Sequence, residues 1–473
     1  FLNFFVYFCI IFILLIQNRL FFSSQHGFRK NFSCETALHQ LLSEIYRNLD
    51  NKLTMILLFI DFQKAFDTVD SELLLLKLFH YGFSNLALDL IRSYFQDRRQ
   101  ITRVNQTFST ECPVKLGVPQ GSVLGPLFFL LYLNDLPFVL ENLGCVLFAD
   151  DTTISSASKS NNEPLETQIS RFANDLQPLF DWCSLNRLDI NISKTFAMVI
   201  SRKNKITIPT TILVNNQTIS VVENFKLLGV FIDNRLSFAK HVSTICRRAN
   251  SAMYSIKRLF YLPLHTKIQF FKTFISPFFD YCLTLTIYMT KSTITKLSNC
   301  FYIIQSKLFN SKKYNCFDFK DKDATEINNA LKEFKLFSFP HRVFMRLNNF
   351  ATKVFLSHKP EVLINDLQLL QKSRDDRGYR YQLRNHNNDL LETSRSKMHF
   401  GDLTFSSFFT SFYNNYLLKT DFFKNNKFSF SNLNFAATQF KKYLNNNLNS
   451  LFNLFTATND KFNTKFNYFF FSK

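Results

Sequence analysis

The stretch Phe148-Ala149-Asp150-Asp151 carries more information about this chain than any other. It lies between the apolar run 145–147 and the β-favouring run 152–154, a pattern that predicts a strand, a tight turn and a second strand. Two adjacent carboxylates would then occupy the tip of a hairpin. A solvated turn is the alternative, but adjacent half-buried negative charges repel each other unless a cation such as Mg²⁺ lies between them.

A third carboxylate follows a predicted buried strand. Residues 54–60 form a nearly continuous apolar run of strand length, and the run ends at Asp61. Asp61 and the hairpin tip together could hold two metal ions. Two ions about 3.5–4 Å apart can bind the attacking and leaving oxygens of a phosphoryl displacement.

A loop rich in glycine and proline lies between these two carboxylate positions. Residues 116–126 contain three glycines and two prolines, and the apolar run 127–133 follows. This composition predicts a series of turns leading into a buried element. Glycines such as Gly121 would let the backbone approach a ligand closely.

The order of these motifs resembles that of reverse transcriptases. The residues within them are similar to those of jockey-like, LINE-type non-LTR retrotransposons. Motifs A, B and C correspond to residues 61–67, 119–121 and 148–151. Further matches are residues 25–29 in the fingers, 191–195 as motif D and 227–233 as motif E. The resemblance implies an α+β right-hand polymerase fold, with fingers, a palm containing an antiparallel sheet, a helical thumb and a mostly helical C-terminal region.

The resemblance also implies a catalytic centre. Asp61, Asp150 and Asp151 match the three metal-binding aspartates of the family, which hold two Mg²⁺ ions or Mn²⁺ in their place. Lys194 matches the motif D lysine, which protonates or stabilises the leaving pyrophosphate. A plain surface lysine is the alternative for Lys194.

Four further residues match positions that bind substrate. Arg29 matches a fingers arginine that grips the triphosphate, because a planar cation suits phosphate oxygens. Phe66 matches the aromatic residue that blocks the ribose 2′-hydroxyl. Gln120 and Gly121 belong to the loop that contacts template or nucleotide. The alternatives are a surface ion pair for Arg29, core packing for Phe66 and a plain loop amide for Gln120.

Composition indicates the class of partner. The chain has 56 Lys and Arg against 36 Asp and Glu, a net charge of +20, which favours a polyanionic partner. The expected partners are therefore an RNA template, a DNA primer or target and deoxynucleoside triphosphates. Nine cysteines without a Cys-x-x-Cys pair argue against zinc and favour a reducing, intracellular location, the nucleus or the cytoplasm.

Four regions are expected along the chain. Residues 1–24 are expected to be an apolar N-terminal segment from a truncated upstream region. Its apolar part, residues 1–16, is shorter than the roughly 20 residues that a bilayer span needs. No stable membrane association is therefore expected. Residues 25–235 would form fingers and palm, and 236–310 a thumb-like helical region. Residues 311–473 are basic and are expected to hold RNA; the alternative is a codon-biased extension without that role.

The leading interpretation is an RNA-directed DNA polymerase of a non-LTR mobile element. Two alternatives remain open. One is a truncated, inactive remnant that only binds RNA through its basic charge, and the other is an intron maturase-like polymerase. Nothing in the sequence indicates an oligomeric state.

Overall fold

The computed structural model describes residues 20–203, 206–257, 261–309, 336, 338–357, 359–363 and 409. Its contacts divide the chain into two compact units, which comprise Phe1–Ala37 with Lys52–Glu223 and Leu38–Asn51 with Asn224–Lys473. The predicted domain boundaries, including the one at residue 235, stay predictions. The expectations for residues 1–16 and for most of 311–473 lie outside the described residues.

The first unit is built on a six-stranded sheet with the order β6-β7-β1-β8-β10-β9. Its strands are β1 (Met55–Ile60), β6 (Gly144–Phe148), β7 (Asp151–Ala157), β8 (Phe196–Ile200), β9 (Thr211–Val214) and β10 (Gln217–Val221). All neighbours run antiparallel except β8 and β10, which are parallel. Every residue of β1 is buried, as expected for a continuous apolar strand between two neighbours.

Two short ladders form a separate feature of this unit, in the part of the chain before the glycine-rich loop. They consist of β2 (Arg99–Gln100) paired with β5 (Cys112–Pro113), and β3 (Arg103–Val104) paired with β4 (Thr107–Phe108). Their residues are exposed.

Helices cover the sheet of the first unit with their apolar residues. They are α2 (Ser71–His80), α3 (Asn85–Phe95), α4 (Gly125–Leu133), α5 (Leu165–Asp175) and α6 (Gln177–Leu185). Helix α4 is almost entirely buried and contributes Phe128 and Phe129 to the main core. Asp70 caps α2 by accepting hydrogen bonds from the backbone N–H of Glu72 and Leu73.

The second unit is mostly helical. Its helices are α1 (Cys34–Asp50), of which all but the first four residues belong here, α7 (Ala239–Lys257), α8 (Leu264–Phe270), α9 (Ser276–Asp280), α10 (Lys291–Phe309) and α11 (Phe339–Ser357). The longer of the two segments in this unit starts at Asn224 with a hairpin of β11 (Asn224–Leu227) and β12 (Val230–Asp233). No helix among the described residues is long and apolar enough to cross a membrane.

The structure confirms the predicted α+β class and several of its local elements. The hairpin at 144–157 and the strand before Asp61 form as expected. Helices α5 and α6 meet at Leu176, and Pro178 lies in the first turn of α6. Because proline lacks a backbone N–H, this boundary lies where the helix could not continue its hydrogen bonds.

Candidate active site

Asp150 and Asp151 lie at the tip of the β6–β7 hairpin. Phe148 pairs with Asp151, so Ala149 and Asp150 form a two-residue turn. Ala149 has a φ of +56°, in the left-handed region that tight hairpin turns require. The turn leaves Asp150 half-buried and Asp151 exposed.

Asp61 reaches the same end of the sheet through strand register. The last β1 residue, Ile60, pairs with Thr152 of β7. Because the two strands are antiparallel, this register places Asp61, the next residue, opposite Asp151. Its backbone carbonyl accepts a hydrogen bond from the N–H of Asn191 at 2.7 Å. The three carboxylates predicted from separate motifs are therefore brought together.

The electrostatics of the three carboxylates reflect this proximity. Partial burial of the carboxylate, followed by repulsion from Asp150 and Asp61, raises the pKa of Asp151 to about 6. Burial and the charge of Asp61 raise the pKa of Asp150, while backbone N–H groups oppose the shift. The negative charges thus oppose one another, and a cation between them would relieve this repulsion.

The donor set fits magnesium chemically, because it offers three hard carboxylate oxygens at one strand end. In the described part of the chain, however, no three His, Cys, Asp or Glu side chains already surround a point where a metal ion would fit. Asp61, Asp150 and Asp151 are the residues that would hold the ions.

Lys194 lies beside Asp61. It ends the short 3₁₀ turn Ile192–Lys194, and its Nζ is 3.9 Å from Asp61 Oδ2. The lysine side chain is 69% exposed, so this ion pair contributes little to stability. Its position leaves the ammonium group close to the carboxylates and accessible to a ligand.

The glycine-rich loop is joined by hydrogen bonds to the segment after Asp61. Gly117 N–H donates to the carbonyl of Val69 at 2.8 Å, and Val118 N–H to that of Phe66 at 2.9 Å. Gly117 has a φ of +85°, and an added Cβ would lie 2.7 Å from the backbone of Asp67. Only glycine permits this close approach.

Phe66 belongs to the segment after Asp61, and Gln120 belongs to the glycine-rich loop that is hydrogen-bonded to it. The ring of Phe66 stacks on Phe129 at 4.3 Å between centroids and remains partly exposed. The Gln120 amide donates to Asp67 Oδ1 at 2.8 Å. Gly121, with a φ of +81°, has open space where a Cβ would be.

Arg29 is held by its own segment. Its NH1 donates to the backbone carbonyls of Phe22 and Gln25 at 2.8 Å each, and its guanidinium lies 4.1 Å from the centre of the Phe32 ring. These contacts order residues 22–32. Triphosphate binding by Arg29 stays a prediction.

Sequence reasoning missed two contacts that position the site. Gln25 Oε1 accepts hydrogen bonds from the N–H of Ala149 at 3.0 Å and of Gly27 at 2.8 Å, which fixes the hairpin tip. Asp67 Oδ1 accepts a hydrogen bond from the Gln120 amide, which links the segment after Asp61 to the glycine-rich loop. No local pattern signals either contact, because each joins segments distant in sequence.

Comparison with known proteins agrees with this site. Residues 11–232 match the family described as reverse transcriptase (RNA-dependent DNA polymerase). The probable RNA-directed DNA polymerase from transposon BS of Drosophila melanogaster is 29% identical over 52% of this chain and 27% of its own length. That from mobile element jockey of the same organism is 26% identical over 60% of this chain and 31% of its own length.

The chain thus spans less than a third of the length of these relatives. A solved telomerase from Candida albicans, in complex with a fragment of telomeric RNA, is 14% identical, with a TM-score of 0.32 over 66% of this chain and 53% of that chain. The motifs, the matched residues and the curated relatives agree with one another. Residues 11–232 are therefore similar to the reverse transcriptase family, and the relatives of this chain include RNA-directed DNA polymerases of transposon BS and of the mobile element jockey.

Proposed function

We propose that this chain is an RNA-directed DNA polymerase that adds deoxynucleotides to a primer 3′-hydroxyl. The observation that carries the proposal is the meeting of Asp61, Asp150 and Asp151 at one sheet end, where partial burial and then repulsion between the carboxylates raise the pKa values of Asp150 and Asp151. These three side chains would hold two Mg²⁺ ions, whose charge favours ionisation of the primer hydroxyl and departure of pyrophosphate.

The other residues have roles around the transferred phosphate. Lys194, beside Asp61, would donate a proton or a hydrogen bond to the leaving pyrophosphate. Phe66, fixed against Phe129, would fill the space that a ribose 2′-hydroxyl needs. Gln120 and Gly121 would contact the nucleotide or template from the loop, and Arg29 would bind the triphosphate.

The proposed partners are an RNA template, a DNA primer or target and deoxynucleoside triphosphates, in the nucleus. The net charge of +20 supports polyanionic partners. Residues 311–473 would hold the template RNA. A chain ending near residue 310 would then show a shallower salt dependence of RNA affinity, by about 0.7 in log–log slope for each phosphate that it no longer neutralises.

Primer extension on poly(rA)/oligo(dT) by the purified chain tests the central proposal. Extension that requires Mg²⁺ or Mn²⁺ is the expected result. A chain that binds the template but extends no primer in either ion would instead be the inactive, RNA-binding remnant.

A further inference from the structure

Two cysteine side chains line an open pocket of about 990 Å³ in the second unit. Cys246 comes from α7 and Cys300 from α10, two helices that pack against each other. The pocket wall also includes Asn250 and Lys296. This thiol pair has no part in the proposed polymerase site.

The side chain of Cys300 contacts the backbone of Cys246. Cys300 Sγ lies 4.0 Å from the carbonyl oxygen of Cys246, and the Asn250 side chain donates to Cys300 Sγ at 3.7 Å. Cys300 therefore lies over the turn of α7 that carries Cys246.

The surroundings make the two sulfurs unequal. The neighbouring Cys300 side chain, and then the charge of Lys296, lower the pKa of Cys246, although partial burial opposes them. The Cys246 side chain and burial raise the pKa of Cys300. Lys296 is held one turn from Cys246 because its Nζ donates to Ser243 Oγ at 2.8 Å.

The two cysteines also differ in solvent exposure, and the one with the lowered pKa is the more exposed. Cys246 is partly exposed, whereas Cys300 is only 8% exposed. An accessible thiol with thiolate character reacts first with an oxidant, and a neighbouring thiol can then complete a disulfide. The pair has this arrangement of an attacking and a resolving cysteine.

We propose that Cys246 and Cys300 form a peroxide-sensitive dithiol that can join α7 to α10 through a disulfide. The Cys246 thiolate attacks one oxygen of hydrogen peroxide; the O–O bond breaks, hydroxide leaves and is protonated to water, and Cys246 becomes a sulfenic acid. The Cys300 sulfur then attacks that sulfur; the S–O bond breaks, and the oxygen leaves as water with the thiol proton. Two thiols are thus oxidised and one peroxide is reduced to two waters. In a reducing compartment the bond would be transient.

Peptide mapping of the full chain tests this proposal. The chain is treated with less than one equivalent of hydrogen peroxide, alkylated and digested without reduction. The expected result is a predominant 246–300 disulfide that dithiothreitol reverses. Cys112 is the internal control, because it is exposed and therefore would react first if exposure alone decided reactivity.

Variants separate the two steps. Cys300→Ser should leave a sulfenic acid on Cys246 that dimedone traps, and Lys296→Met should slow this oxidation about threefold or more, whereas Lys291→Met on the same pocket should not. Faster oxidation of Cys112 than of Cys246, or disulfides mainly between other cysteines, would overturn the proposal. The wild-type map decides between these outcomes even where a variant fails to fold.

Discussion

The two units of the chain hold their titratable side chains in opposite ways. In the first unit, Asp150 and Asp151 lie at strand ends with raised pKa values and with negative neighbours. In the second unit, His39 of α1 is fully buried, and its ring nitrogens lie 2.9 Å from Tyr288 Oη and from Thr284 Oγ1. Burial lowers the pKa of His39 to about 3, so it stays neutral.

This difference distinguishes a reactive group from a structural one. The aspartates carry charge that the fold leaves unbalanced, as a cation-binding site requires. The histidine has hydrogen-bond partners and stacks on Phe350 at 4.6 Å between ring centroids, so it serves the packing of helices. Changes at the strand ends should therefore affect chemistry, and changes at His39 should affect stability.

The largest effect is expected for Asp150→Asn. The substitution keeps the volume of the side chain and removes a charge that would hold the proposed ions, so primer extension should fall to a few per cent of wild type or less. Template affinity should change by no more than a few fold. Asp181→Asn, on the exposed face of α6, is the matched control and should retain full activity. Persisting extension in Asp150→Asn would show that the metal assignment is wrong.

Gly117→Ala tests the junction between the loop and the segment after Asp61. A methyl group would lie 2.7 Å from the backbone of Asp67 and would occupy a left-handed position. Gly82→Ala is the control, because Gly82 has a similar φ of +87° but open space around it. Left-handed strain of about 1–2 kcal/mol should appear in both variants.

The clash should cost Gly117→Ala about 1–3 kcal/mol more in the free energy of unfolding, measured with urea. Equal losses in the two variants would mean that the loop moves away without cost. In that case the hydrogen bonds of Gly117 and Val118 would not fix Phe66.

Phe66→Val tests the proposed exclusion of ribonucleotides. A smaller side chain opens space beside the sugar, and a contact of this size discriminates by about 1–3 kcal/mol. The ratio of deoxynucleotide to ribonucleotide incorporation should therefore fall about 5- to 150-fold. Phe62→Val, in the buried core, should leave that ratio unchanged. If both variants reject ribonucleotides as well as wild type does, Phe66 is only a packing residue.

The local elements could be predicted from sequence because their causes are local. Asn215 and Asn216, in the turn between β9 and β10, both adopt positive φ, a conformation that asparagine tolerates in tight hairpin turns. The hairpin carboxylates and Asp61 were also predictable, since each follows an apolar strand. The Gln25–Ala149 and Asp67–Gln120 contacts were not, because they depend on tertiary register rather than on neighbouring residues.

The helical unit should lose stability in acid through His39. The unfolded pKa of histidine is about 6.5, whereas that of His39 in the fold is about 3. As the pH falls from about 6.5 towards 3, the unfolded chain binds a proton that the folded chain excludes, so stability declines by up to about 1.4 kcal/mol per pH unit. Above pH 6.5 this contribution is constant.

His39→Gln should remove that part of the slope of unfolding free energy against pH. His265→Gln, at an exposed position of α8, should leave it intact. An unchanged slope in His39→Gln would show that its burial does not control protonation. His241, whose pKa burial lowers to about 4, would then account for the acid sensitivity.

The smallest effect is expected for Asp151→Asn in buffer without divalent ions. The folded pKa of Asp151, about 6, lies above its ordinary value of 3.8, so its stabilising effect is present below pH 3.8 and is lost as the pH rises through 6. At pH 7 the variant should therefore melt slightly higher than wild type. Wild type should gain more from added Mg²⁺ than the variant does; equal gains would argue against ion binding by Asp151.

The hydrogen bond between Gln25 and Ala149, which fixes the hairpin tip, can form only late in the synthesis of the chain. Gln25 and Ala149, its partner, are 124 positions apart, and the backbone of Leu147 pairs with that of Ser24 and His26. At about 5–20 residues per second, a ribosome needs about 6–25 s to cover that distance. Throughout this interval the N-terminal segment has no hairpin to dock on. The aspartate pair thus reaches its final geometry only after most of the first unit has been translated.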